Sequence, residues 1–532
     1  MLNKRLTGSF YTPKIIADFL VDYLATKLKG TDLSVLEPSV GDGSFIHSIF
    51  KHKKFLGKIG SITAIEKEAV ELEKVRAITD STRLQTINSD FLDFQNGNED
   101  KFSVVLGNPP YFKKNLLSAE QIALCEDIHK LYPALSNNKI KNIWTAFLVR
   151  CINFVNEDGI LAFVLPSELL QVKFAAELRT LILSEFERVE IFTFNELLFK
   201  DCKGQDTLLL IGERKAIKKG VYYCTIEKLA DLAEKKFTLA QNVNIRESKW
   251  THHHLATDEI ELLEKLKKQL ETANHYCTSK AGIVTAANDY FIVDTKTVRE
   301  YSLERFIKPI IQKGSFVNGS VILSEADFDS LVTQDKPTYL IALDKTSIIN
   351  EEDRIHSYFR KGVEKDIHTR YKTSIREKWY QVPNIGTAPE AFFFKRCNEY
   401  PKLIKNEANV LATDSAYTIS MNGDYEIESL IYSFYNSLTL SFAELNGRYY
   451  GGGVLELTPN EFKSLPIPYN KISSEDFISF AKDFKAKESI KEIARRNDTS
   501  LLKLIDSDIS LEEIEKVYRI REKLHSRRIK TN

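Results

Sequence analysis

The sequence predicts an α/β protein: an open, mostly parallel sheet up to about residue 212, then a mixed α+β region and a helical tail. Three observations carry this. Between about 30 and 212, short apolar runs alternate with segments of helical periodicity, the pattern of strands covered on both faces by crossover helices. After the charged stretch "ERKAIKKG" (213–220) the alternation gives way to an irregular, aromatic-rich pattern, punctuated by turn residues. From about 473 the chain is polar and helical and ends basic, in "RIREKLHSRRIK". These changes divide the 532 residues into 1–220, 221–470 and 471–532, within the two or three domains that such a length suggests.

The elements follow in order. "LSVLE" (33–37) reads as the first strand and "GSFIHSIF" (43–50) opens a helix. "GSITAIE" (60–66) is the second strand, followed by the helical "AVELEKVRAI" (69–78). "LQTI" (84–87) and "FSVVLG" (102–107) are the third and fourth strands, and "IWTAFLVRCINFV" (143–155) is a helix. "GILAFVLP" (159–166) is a near-continuous apolar strand, and "LLQVKFAAELRTLIL" (169–183) has helical periodicity. "RVEIFTF" (188–194) and "DTLLLIG" (206–212) close the series as a hairpin.

Composition narrows the function. The longest apolar runs are far too short to span a bilayer, and the basic N-terminus leads into no apolar core, so neither a membrane span nor a signal peptide is expected. The six cysteines are scattered without a CxxC pair, which argues against a zinc ribbon or a disulfide framework and fits a reducing, cytoplasmic setting. Lys+Arg and Asp+Glu are equal at 74 each, so net charge neither indicates nor excludes a nucleic-acid partner.

In open α/β sheets ligands sit at the carboxyl ends of the strands. "VLEPSVGDGSF" (35–45) forms the turn after the first strand. Gly41 and Gly43 permit a tight turn and close approach of a ligand, while Glu37 and Asp42 make the turn acidic. That charge is wrong for a pyrophosphate and right for a cation or an amine, and the spacing is not that of a dinucleotide fingerprint. Glu66 ends the second strand, where a carboxylate accepts hydrogen bonds from a ribose diol. "NSDF" (88–91) places Asp90 and Phe91 after the third strand, suited to an exocyclic amine and a purine face. A nucleoside with a cationic appendage and no phosphates fits this set, and S-adenosylmethionine is such a molecule.

The fourth strand ends in "VVLGNPPYF" (104–112). Proline fixes φ and has no N–H, so Pro109 and Pro110 give a stiff exit from the sheet that aims the Asn108 side-chain oxygen and the Pro109 carbonyl at one point. Two acceptors there suit a primary amine, and Tyr111 adds a ring face for the flat group that bears it. No metal set is expected. "HHH" (252–254) reads as an exposed loop or a phosphate contact, because consecutive residues do not share a helix face.

With these stretches in view, residues 8–212 resemble the gamma-group, TaqI-type N6-adenine DNA methyltransferases of restriction-modification systems. "GSFYTP" (8–13) resembles their N-terminal cofactor motif, which puts Thr12 at the methionine part of the cofactor. "VLEPSVGDGSF", "TAIEKE" and "NSDF" resemble the glycine loop, the ribose-binding acid and the adenine-contacting pair; the loop's "VGDGSF" departs from the family's usual first residue. "VVLGNPPYF" is similar to their catalytic motif. "WTAFLVRC" places Phe147 against the cofactor adenine, and "NELLFKDCKGQDTLLLIG" makes Phe199 a second ring for the flipped base. The resemblance implies a Rossmann-like S-adenosylmethionine-dependent catalytic domain and methylation of an adenine flipped from double-stranded DNA. It also implies a target-recognition domain after about 220. A separate restriction endonuclease acting on the same site is a compatible partner, and the chain is expected to be a monomer. "HSYFRKGVEKDIHTRYKTSIREKWYQVP" (356–383) interleaves basic and aromatic residues, and Arg370, Lys372, Arg376 and Lys378 are its candidate DNA contacts. The alternative is a methyltransferase acting through the same Asn-Pro-Pro-Tyr on RNA or a protein glutamine. Those chains are usually much shorter and would leave the second half unexplained.

Overall fold

The computed structural model describes residues 11–95, 101–135, 139–196, 198, 206–242, 250–251, 255–317, 319–450 and 453–529. The chain divides into two compact units, one up to Thr257 and a second from Asp258 to Tyr449 and Gly453 to Ile529.

The first unit is built on a sheet of β1 (Leu33–Glu37), β2 (Ile59–Glu66), β3 (Leu84–Asn88), β4 (Phe102–Gly107), β5 (Val155–Pro166), β6 (Arg188–Phe194), β7 (Thr207–Glu213), β8 (Gly220–Ile226) and β9 (Ala240–Asn242). Their spatial order is β3-β2-β1-β4-β5-β7-β6-β8-β9. β1 lies parallel to β2, with Val35 opposite Ile62, and to β4, with Val35 opposite Val104. β7 runs antiparallel to both β5 and β6, so the expected hairpin is present and inserts its second strand between β5 and β6. Side chains alternate between the two faces. Val104 and Leu106 enter a core with Ile16, Leu20 and Ile46; Val105 and Leu161 enter the opposite core with Trp144, Leu148 and Ile152. Burial on both faces is the reason these strands read as continuous apolar runs.

Three expectations need correction. The sheet does not stop at 212. β8 begins at Gly220 and pairs parallel to β6 from Arg188–Gly220 through Phe194–Ile226, and β9 covers β8. The charged stretch 213–220 is therefore a connection within the sheet, pinned by Lys219 to Glu187 at 2.6 Å and by Arg188 to the Lys218 carbonyl at 2.8 Å. The boundary expected at 220 moves to about 257. The helix expected over 169–183 is broken at Val172, whose extended ψ of 146° separates Glu168–Gln171 from the turn Lys173–Ala175 and the helix Ala176–Glu185.

The third correction concerns the tail. The second unit contains a five-stranded sheet in the order Cys277–Ala281, Ala416–Met421, Ala391–Phe394, Lys402–Asn406, Ile322–Leu323. The helices Ile490–Ile505 and Leu511–Arg528 pack against the buried helix Ser437–Asn446 and bury Leu501, Leu502, Val517, Ile520 and Leu524. Arg528 makes a bidentate, buried pair with Glu444, both contacts at 2.8 Å, and the Asp498 carboxylate accepts the Ser437 N–H at 2.7 Å. Residues 471–529 thus complete the second unit rather than extend it. Their exposed faces are polar enough to read as a solvated tail, and the apolar stripe that closes the core is only part of each helix.

Candidate active site

β1 and β4 are adjacent parallel strands whose connections leave in opposite directions, β1 toward β2 and β4 toward β5. A crevice must open at their carboxyl ends. It is a pocket of about 730 Å³, and Glu37 at the end of β1 and Asn108 just past β4 both line it.

The glycine loop forms one wall. Gly41 and Gly43 have φ of 52° and 81°, left-handed values that favour glycine. A Cβ on Gly43 would also stand 2.5 Å from Ile78 Cδ1. The loop is closed by Gly43 N–H to the Val40 carbonyl at 3.0 Å, and Asp42 accepts from the Ser44 N–H at 3.1 Å where the following helix begins. Glu66 organises the loop from the next strand: its carboxylate accepts the Gly41 N–H at 2.9 Å and the Glu68 N–H at 3.0 Å. A carboxylate has about four lone-pair sites, so capacity remains for a diol. Asp90 accepts from the Leu92 N–H and the Lys67 ammonium, each at 3.0 Å. Phe91 and Phe147, both nearly buried, bring their ring centroids to 5.1 Å on the pocket floor. Thr12 is buried and lines the same pocket.

Glu37 carries the strongest chemical demand. It is 1% exposed, and its Oε2 has no hydrogen-bond partner among the described residues. Burial, and then the charges of Asp42 and Glu66, push its carboxyl pKa well above the usual range. A cationic group beside it would relieve both the missing hydrogen bond and the crowding of like charge. The residues present therefore fit S-adenosylmethionine: a carboxylate for the cation, Glu66 for the ribose, and Asp90 with the two phenylalanines for the adenine.

Asn108, Pro109 and Pro110 line the pocket, with the Asn108 carbonyl held by the Ser39 hydroxyl at 3.3 Å. Tyr111 is placed otherwise than expected. Its ring is 8% exposed and packs in the core beneath the sheet, with its hydroxyl 2.7 Å from Asn108 Oδ1 and 3.0 Å from the Val164 carbonyl. The side chain after it, Phe112, lines the pocket instead. Phe199 and the three histidines at 252–254 lie outside the described residues. Sequence reasoning missed Tyr11, whose ring lies against Gly41 and whose hydroxyl pKa is raised by burial and a hydrogen bond to Glu71. It also missed Leu116 and Leu117 from the connection after β4, and Ile143 at the start of the helix Trp144–Phe154, which line the pocket. Tyr11 stands next to Thr12, and an aromatic beside a cofactor-motif residue was the one available signal.

The comparisons with known proteins agree with this geometry. Residues 33–199 match the family described as Eco57I restriction-modification methylase, and residues 247–502 match Type II methyltransferase M.Eco57I, C-terminal domain. Both matched regions thus resemble parts of Eco57I-type restriction-modification methylases. Type II methyltransferase M.AccI of Acinetobacter calcoaceticus is 24% identical over 91% of this chain and 90% of its own length. Modification methylase CviBIII of Paramecium bursaria Chlorella virus NC1A is 27% identical over 34% of the chain and 43% of its own length. Among solved structures, the type IIL restriction-modification enzyme MmeI in complex with DNA matches at a TM-score of 0.57, with 12% identity over 96% of this chain and 71% of that one. This methylase is a restriction-modification DNA methyltransferase with a Rossmann-like catalytic fold, and its cofactor is S-adenosyl-L-methionine. No helix among the described residues is long and apolar enough to cross a membrane.

The Glu66 geometry gives a direct test. Glu66→Ala removes the acceptor for the Gly41 and Glu68 N–H groups along with the carboxylate that the sequence assigns to the ribose. Calorimetry should show cofactor Kd raised at least about tenfold (~1.4 kcal/mol), with Asp90→Ala in the same direction. Unchanged cofactor affinity in both variants would remove these residues from the cofactor site.

Proposed function

We propose that this methylase transfers the methyl group of S-adenosylmethionine to the N6 amine of an adenine flipped out of duplex DNA, and so marks host DNA against a nuclease of the same specificity. The observation that supports this most is the placing of Asn108-Pro109-Pro110 on the wall of the pocket lined by Glu37, whose Oε2 has no hydrogen-bond partner among the described residues. When bound, the cofactor supplies an electrophilic methyl group. Glu37, Glu66, Asp90, Phe91, Phe147 and Thr12 hold and orient it. Asn108 and the Pro109 carbonyl accept the two N–H bonds of the substrate amine, fix the nitrogen in place and favour the positive charge that develops on it. Gly41 and Gly43 let the backbone approach the ligand.

Flipping costs a few kcal/mol, and ring stacking returns roughly 1–3 kcal/mol per base. In this reading Tyr111 leaves its core position to stack on the base, with Phe199 as the second ring. The second unit, from about 258, selects the DNA sequence. Arg370, Lys372 and Lys378 are its phosphate contacts. Arg376 is committed differently: its guanidinium donates to the Thr285 carbonyl at 2.8 Å and serves the scaffold. The chain acts as a monomer in the cytoplasm, and a cognate nuclease, where present, is a separate chain.

The deciding experiment incubates unmethylated genomic DNA with the protein and labelled cofactor, then maps modified bases by sequencing. N6-methyladenine within one short recurring sequence is expected. Label confined to cytosine, to RNA or to protein would overturn the reading.

A further inference from the structure

Tyr371 is the one aromatic side chain among the described residues that stands exposed, at 80%. Ile375, 70% exposed, follows one helical turn later, on the same face. Both lie in a segment that is firmly held. The short helix Tyr371–Ser374 is anchored by Thr373, which is fully buried, its hydroxyl between the carbonyls of Ile367 and Arg370. Beyond Ile375, Arg376 is tied to the Thr285 carbonyl and lies 5.5 Å from the centre of the Phe291 ring. Fixed at both ends, the segment presents two large apolar side chains to water, in a fold that covers its other described aromatics at least in part.

The charge around them is mostly positive. Lys372 and Lys378 make no ion pair among the described residues, and Arg370 has only an exposed contact to Asp289 at 3.4 Å. Glu377 is the sole carboxylate between 367 and 378, and Lys345 neutralises it at 3.1 Å. Two apolar side chains are far too small a patch for a stable protein interface, which needs about 800 Å² from each partner. They are the right size to enter a base step, as apolar wedges do in bent duplexes.

We propose that Tyr371 and Ile375 form a wedge that inserts at a base step of the bound duplex and bends it, with Lys372 and Lys378 on the flanking phosphates. This rests on the reading that the second unit holds duplex DNA. A wedge contributes affinity without releasing counterions, whereas a phosphate contact is read out as salt dependence, and this separates the two sets of residues.

The test uses the full chain and a short duplex carrying the methylated site, end-labelled for energy transfer, with affinity measured by anisotropy over a range of salt. Tyr371→Ala should raise Kd about tenfold and reduce the bend, while the slope of log Kd against log salt stays that of the wild type. Tyr371→Phe should bind and bend like the wild type, and Ile375→Ala should fall between. Lys372→Ala should reduce the salt slope by about one and leave the bend. Equal affinity and bend in Tyr371→Ala and wild type would overturn the wedge alone, as would a change in sedimentation in place of one in DNA binding. A wild-type chain that fails to bind the duplex would overturn the assignment of the second unit, and the wedge with it.

Discussion

Asn108→Ala should lose methyl transfer by about a thousandfold or more while cofactor affinity stays within about twofold of the wild type. The asymmetry follows from where Asn108 sits. It leaves β4, whereas the groups proposed to meet the cofactor leave β1, β2 and the turn after β3, together with Thr12 and Phe147. Its backbone carbonyl is fixed by Ser39, and the two prolines after it remove the freedom that would let another acceptor take its place. A hydrogen bond to an amine nitrogen that is gaining positive charge is stronger in the transition state than in the ground state, so its loss appears in kcat more than in binding. Single-turnover methylation at saturating cofactor, paired with calorimetry, measures both. Turnover within tenfold of the wild type would take Asn108 out of the catalytic machinery.

Much of this site was legible because its chemistry is written at strand ends. A short apolar run followed by a glycine, a carboxylate or Asn-Pro-Pro marks both the strand and what its carboxyl end presents. Glu37, Glu66, Asp90 and Asn108 therefore converged in one pocket from four separate stretches. What escaped was set by tertiary packing. Nothing local distinguishes Tyr111, turned into the core, from Phe112, turned into the pocket, because an irregular exit from a strand does not preserve the alternation of faces. β8 was hidden behind a stretch in which five of eight residues are charged, although "VYYCTI" buries Val221, Tyr223, Cys224 and Ile226 once β6 offers it an edge. Arg376 looked like its basic neighbours and differs only in having backbone carbonyls within reach.

Arg528→Ala should be among the most destabilising single changes in the second unit, costing about 3–5 kcal/mol. Arg528 and Glu444 are 1% and 4% exposed at the side chain, and the guanidinium makes two parallel bonds of 2.8 Å to the carboxylate. The same guanidinium also bonds to the carbonyls of Asn398, Glu399 and Gly453. It thus joins the last turn of the helix Leu511–Arg528 to three other segments of the second unit. Truncation leaves a buried carboxylate without its counter-charge and three carbonyls without donors, the combination that makes a broken buried pair costly. For a unit of this size the melting temperature should fall by roughly 10 °C or more. Arg528→Lys should recover only part of the loss, because an ammonium cannot reproduce the planar fork. Replacing both partners, as in Arg528→Met with Glu444→Leu, should recover more than either single change allows, since no buried charge is then stranded. Thermal melting followed by circular dichroism distinguishes these outcomes. A melting temperature for Arg528→Ala within about a degree of the wild type would mean that residues 471–529 are the dispensable extension their polar sequence suggests.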